Sequence, residues 1–114
     1  MMFARTRRLA VMTGNRGDST EIAQEIIDLI GGDTGLSRLR AARIEALTDG
    51  VVFNLMNDGT TEGIVIIRKM GRDDYRVYVA QLGRWVEVRS TDGVTAGQVK
   101  PHLWRLIGKN EPVF

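Results

Sequence analysis

The chain contains no cysteine, so disulfides, thiolate metal sites, iron–sulfur clusters and cysteine nucleophiles are excluded. Histidine is almost as scarce. His102 stands alone, which removes any His pair, histidine-rich zinc site or two-histidine protease motif within one chain. Between Pro101 and Leu103 it reads as a structural residue on a helix surface. Long hydrophobic runs are missing too: stretches such as Gly63 to Ile67 and Val51 to Phe53 fall far short of the roughly 20 residues of a membrane span. No membrane association is expected. The sequence also lacks a Gly-x-Ser-x-Gly elbow and a Ser-x-x-Lys pair, so hydrolase chemistry has no support. The expectation is a non-enzyme with no cofactor and no metal.

What is present is ordinary globular composition. With 114 residues, 43% apolar and 26% charged, the chain suits one compact domain and lies outside the disordered class. The net charge of +2 conceals an asymmetry, since 13 of the 16 basic residues are Arg and they cluster. Arg5, Arg7 and Arg8 open the chain, and Arg38, Arg40 and Arg43 form a second group. Between these groups Asp18, Glu21, Glu25, Asp28 and Asp33 follow one another without an intervening cation. An acidic helix between basic flanks suits docking of a charged partner; a plain solvated helix face is the alternative.

Residues 1–17 show no periodicity and read as a basic arm. The apolar run Leu9 to Met12 is too short for a signal peptide's core, and a cytoplasmic protein is expected. From Asp18 or Ser19 the pattern becomes helical: Ile22, Ile26, Leu29 and Ile30 share a face, and Gly31-Gly32 ends it. Residues 36–47 admit two readings, one continuous helix or a short helix to about Arg40 followed by a strand over Arg43 to Leu47. Turn signals at Thr48-Asp49-Gly50, Asn57-Asp58-Gly59 and Gly71 to Asp74 then separate β-rich runs at Val51 to Met56, Ile64 to Lys69 and Tyr75 to Ala80. A last strand is expected over Arg84 to Arg89. Ser90 to Gly93 then returns the chain to a helix whose apolar face is Val94, Val99, Leu103, Leu106 and Ile107. Pro101 marks a kink or its first turn, and Gly108 its end.

The resulting fold class is α+β: an N-terminal amphipathic helix, an antiparallel meander of three to five strands and a C-terminal helix on one face of the sheet. A single domain would span residues 18–110, with a tail at 111–114. Of the candidate chemistry, Asp73-Asp74 and Asp58 with Glu62 are better explained as turn acids than as a magnesium site. Gly14-Asn15-Arg16-Gly17 lacks the lysine of a phosphate loop and the glycine triplet of a dinucleotide fold. The outer face of the meander is more suggestive. Arg76 and Tyr78 alternate on one strand, and Trp85, Glu87 and Arg89 alternate on the next, offering stacking surfaces and phosphate-binding cations to a nucleic acid. In the opposite register, Trp85 would lie in the core while Val86 and Val88 are at the edge.

The linear order carries a resemblance. IAQEIIDLIGG at residues 22–32, a Gly-Val-x-Phe-x-Leu strand at Gly50 to Leu55, DDYRVYV at Asp73 to Val79 and DGV opening a final helix resemble a group of small, largely uncharacterised phage and mobile-element accessory proteins. The likeness covers residues 22 to 107. It implies genomic context rather than chemistry, a phage-encoded protein in a host cytoplasm. The absence of catalytic sets, the acidic helix and the density of Arg then suggest an accessory role, such as counter-defence or regulation, through a protein partner. For that role the candidate residues are Glu21, Glu25, Asp28, Arg38 and Arg40. For nucleic acid, the alternative partner, they are Arg5, Arg7, Arg8, Arg76, Tyr78, Trp85 and Arg89. An exposed antiparallel edge would also suit a homodimer.

Overall fold

A computed structural model describes residues 17–108. The expected arm with Arg5, Arg7 and Arg8 and the expected tail lie outside the described residues. Nine elements follow in order: α1 (Gly17–Leu29), α2 (Gly32–Leu39), β1 (Ala41–Leu47), β2 (Gly50–Asn57), β3 (Thr60–Gly71), β4 (Asp74–Leu82), β5 (Val86–Val94), a 3₁₀ turn (Ala96–Gln98) and α3 (Val99–Ile107). The five strands form one antiparallel sheet in sequence order. The expected α+β meander with a C-terminal helix on the sheet is therefore present, with α2 as an additional short helix.

The helical period of α1 buries Ala23, Ile26 and Ile27, with Ile30 just beyond its end, and leaves Glu21, Gln24 and Asp28 in solvent. Gly31 and Gly32 then adopt φ of 112° and 64°, a region that excludes most side chains, so the chain breaks and restarts. Of the two readings for residues 36–47, the mixed one holds. Arg40 leaves α2 in the left-handed conformation with its N–H on Ser37 O at 3.0 Å, and β1 starts at the next residue. Its carbonyl accepts from Met56 N–H at 3.0 Å, which fastens the helix end to β2.

Strand register sorts side chains to two faces. The cross-strand rows Val51, Ile67, Val77 and Phe53, Val65, Val79 lie toward the helices and are fully buried. Helix α1 packs on β1 and β2, and α3 on β4 and β5. The rows Val52, Ile66, Tyr78, Ser90 and Asn54, Ile64, Ala80, Val88 form the other face. Among the described residues no helix covers that face, and no helix is long and apolar enough to cross a membrane.

The last strand differs from expectation. It begins at Val86 and continues through Ser90 to Gly93 to end at Val94, where a return to helix was expected. Ser90 and Thr91 pair with Tyr78 and Val77, and Val94, 3% exposed, pairs with Tyr75. The Asp92-Gly93 turn signal is absorbed by a register shift, with Gly93 at φ 67°, because burying Val94 in the core outweighs the local turn preference. Val94 thus belongs to the sheet rather than to the final helix. Pro101 occupies the first turn of α3, where no intrahelical N–H bond is lost. Asp58 and Asp73, read above as turn acids, sit at φ 51° and 53° in the β2–β3 and β3–β4 turns. Asp73 also accepts the Ala96 N–H at 2.7 Å, tying that turn to the approach of α3.

Candidate functional site

The acidic residues of α1 do not act as one surface. Glu21 and Asp28 are exposed, and Asp28 accepts a hydrogen bond from Gln24 at 3.0 Å. Glu25 is turned to the sheet, where it accepts hydrogen bonds from the Tyr75 hydroxyl and from Lys69 Nζ, the latter at 3.1 Å. The Tyr75 hydrogen bond and then the Lys69 ammonium hold the Glu25 carboxyl below its ordinary 4.5. Burial, followed by the hydrogen bond to Glu25, pushes Tyr75 up to about 12 from 10. Glu25 is therefore a tie between α1 and the β3–β4 hairpin.

These shifts give a stability profile. A carboxyl with a lowered folded value contributes stability above its unfolded value, and loses it as pH falls through the folded one. A tyrosine with a raised folded value contributes below its unfolded value, and loses that as pH rises through the folded one. The tie is thus complete between pH 4.5 and 10 and weakens below 4.5 and from 10 to about 12. Tyr75→Phe is expected to lower stability at pH 7 by about 1.5 kcal/mol, the scale of a hydrogen bond to a charged group. It should also flatten the alkaline limb between pH 10 and 12, both read by urea denaturation.

The nucleic-acid candidates are divided by the sheet. Arg76 and Tyr78 lie on the uncovered face, but Glu87 and Arg89 pair with Gln81 and Val79 on the helix side. Val86 and Val88 are exposed, as the opposite register had it, but Trp85 does not lie in the core. Strand β5 begins after Trp85, which lies in the β4–β5 turn and is 78% exposed. Arg89 donates to Leu106 O at 3.4 Å and to Glu87 at 3.0 Å, so it serves the carbonyl end of α3. Arg76 is paired with Asp92 at 2.7 Å and Arg68 with Asp49 at 3.1 Å. A phosphate would have to displace those carboxylates.

Arg38 and Arg40 are brought together. Both are exposed and line a cleft of about 420 Å³ between the end of α2, the β2–β3 hairpin and α3. Trp104 and Glu62 also line it; Trp104 was not singled out as part of a binding site from sequence, and Glu62, read above as a turn acid, lies within β3. No local pattern could have found it, because its walls are 15 to 69 residues apart along the chain and meet only through the fold. A second feature is the β5 edge. Val86 is 66% exposed and Val88 51%, with Leu82 and Trp85 beside them. Among the described residues no group of three or more Asp, Glu or His could hold a metal ion.

Comparison with protein families, with curated proteins and with solved structures finds no match to this chain.

Proposed function

We propose that the chain is a non-enzymatic accessory protein, of the phage type its element order resembles, that binds an extended segment of a protein partner along β5. The observation that carries this reading is the inequality of the two sheet edges. At β1 the ladder slips between Ala42 and Glu45, with Arg43 at φ 55°, and α1 and α2 pack against the strand. Bulges and covering elements are how folds prevent further strand pairing. Strand β5 is packed by α3 on its helix-side face and its ladder shifts at Asp92-Gly93, but it has neither lysine nor proline, and its register is regular from Val86 to Thr91. Its charges lie on the helix side and neutralise each other, since Glu87 and Arg89 are paired at 3.0 Å.

An added strand would bond its main chain to the free edge and place alternate apolar side chains beside Val86 and Val88. Trp85 and Leu82 extend that apolar strip, and exposed tryptophan is among the side chains that dominate protein interfaces. A nucleic acid has no alternating apolar side chains to set against it.

Selection of a random peptide library against the protein tests this. Enriched peptides are expected to alternate β-branched or aromatic residues, to lose at least tenfold in affinity to Val88→Lys, and to slow hydrogen exchange at amides 86–91. Equal binding to the variant, or protection confined to α1 or β1, would overturn the proposal. A concentration-dependent dimer abolished by Val88→Lys would assign the edge to a second copy of the chain instead. Val88 is half exposed, so the variant is expected to stay within about 0.5 kcal/mol of the wild-type stability.

A further inference from the structure

We infer that the segment added along β5 is β5 of a second copy of the chain, paired antiparallel with Val88 on the two-fold axis; this rests on the strand-addition reading of that edge. Among the described residues β5 has one strand neighbour, β4, and its other side is free. Val86 and Val88, 66% and 51% exposed, already have the alternating β-branched pattern that such an edge selects. The chain therefore carries a matching strand of its own.

Symmetry restricts how two copies of β5 can meet. An antiparallel pair that extends one sheet is related by a two-fold axis perpendicular to it, with the helices of both copies on the same side. Opposite residues must share a face, so their numbers sum to an even number and each register is defined by the residue on the axis. An axis at Glu87 sets that carboxylate against its own copy, and an axis at Arg89 does the same with two guanidiniums. Like charges directly opposite are destabilising. An axis at Val86 needs the connection at 83–85 as strand, and one at Ser90 runs Val88 against Asp92, where the ladder shifts. The axis at Val88 has none of these faults. It sets Val88 against the partner's Val88, Val86 against the partner's Ser90 and Glu87 against the partner's Arg89, all within the regular stretch. Glu87 and Arg89, 3.0 Å apart in one copy, then join their partners as four charges of alternating sign. A pairing of single strands buries little area, so the dimer is expected to form reversibly with concentration.

Because the chain has no cysteine, single cysteines read this register without background. Val88→Cys is expected to give a disulfide-linked dimer on mild oxidation, since directly opposite Cβ atoms lie about 5 Å apart. Val86→Cys and Ser90→Cys should stay monomeric alone, each being about 13 Å from its own copy, and should cross-link when mixed. Glu87→Arg and Arg89→Glu should each sediment as monomers and their equimolar mixture as a dimer, because every opposite pair is then of unlike charge. Arg89 also bonds to α3, so the charge variants are read beside their melting curves, whereas the cysteine variants leave that bond in place. Val86→Cys cross-linking with itself as readily as Val88→Cys would overturn the inference. A chain that stays monomeric yet binds alternating peptides at amides 86–91 would overturn the second copy and leave strand addition standing. A monomer that binds none would overturn both.

Discussion

Alanine at position 35 is expected to lower the melting temperature by about 10 °C or more, although helix propensity alone gives the opposite sign. Gly35 lies inside α2, and replacing a mid-helix glycine with alanine ordinarily gains about 1 kcal/mol. Here the added Cβ would sit 2.0 Å from the carbonyl oxygen of Ile30 and 2.8 Å from its carbon. Both are backbone atoms of the α1–α2 junction, so neither can swing aside as a side chain would. Overpacking of this kind costs about 3 kcal/mol, which outweighs the propensity gain. The net loss of about 2 kcal/mol corresponds to roughly 10 °C in a domain of this size. Since α2 supplies Arg38, Leu39 and Arg40 to the cleft, displacement of the helix should also broaden the Trp104 indole resonance. A thermal melt and one ¹⁵N spectrum check both statements. Unchanged stability would mean that the two helices separate at no cost.

The sheet and the outer helices were legible because each obeys one simple period. Residues 20–30 repeat at helical spacing, while Val51, Phe53 and Leu55 alternate, and both patterns are consequences of burying one face. Two places resisted. The end of β5 did so because Asp92-Gly93 is a strong local turn signal, overridden by the burial of Val94. The orientation of Arg89 did so because strand parity depends on where the strand begins. Residues 83–85 form a connection, so counting starts at Val86, and Arg89 turns to α3 while Val88 turns outward. One residue of difference in that loop would exchange the two faces. The cleft was illegible for another reason: nothing within any one segment announces it.

The fate of the arginines ties these results together. Composition showed an excess of Arg over Lys but not its use. Three of the guanidiniums meet carboxylates, Arg68 with Asp49, Arg76 with Asp92 and Arg89 with Glu87, and so contribute little net field at the sheet surface. Exposed pairs of this kind are worth at most about 1 kcal/mol each, and they hold the β1–β2 turn and β5 in place more than they stabilise the whole. Arg38 and Arg40 line a concave space between α2, the β2–β3 hairpin and α3.

Gly50→Ala is expected to damage the opposite end of the same strand and to leave the cleft intact. Gly50 opens β2 opposite Arg68 on β3, and a Cβ there would lie 2.1 Å from Ile67 O and 2.9 Å from Arg68 Cα. The clash is again with backbone, so β2 and β3 must separate at this point. Asp49 next to it accepts the Lys69 N–H at 2.7 Å and the Arg68 guanidinium at 3.1 Å, so these contacts are strained together with the ladder. A loss of about 3 kcal/mol follows, a large share of the 5–15 kcal/mol typical of a domain. Hydrogen exchange should quicken at residues 49–51 and 67–69. Leu55, Met56 and Asn57, which line the cleft at the far end of β2, should keep their protection. The Trp104 indole resonance should therefore keep its line width in Gly50→Ala and broaden in Gly35→Ala. Equal broadening in the two variants would show that the sheet transmits strain along β2 into the cleft.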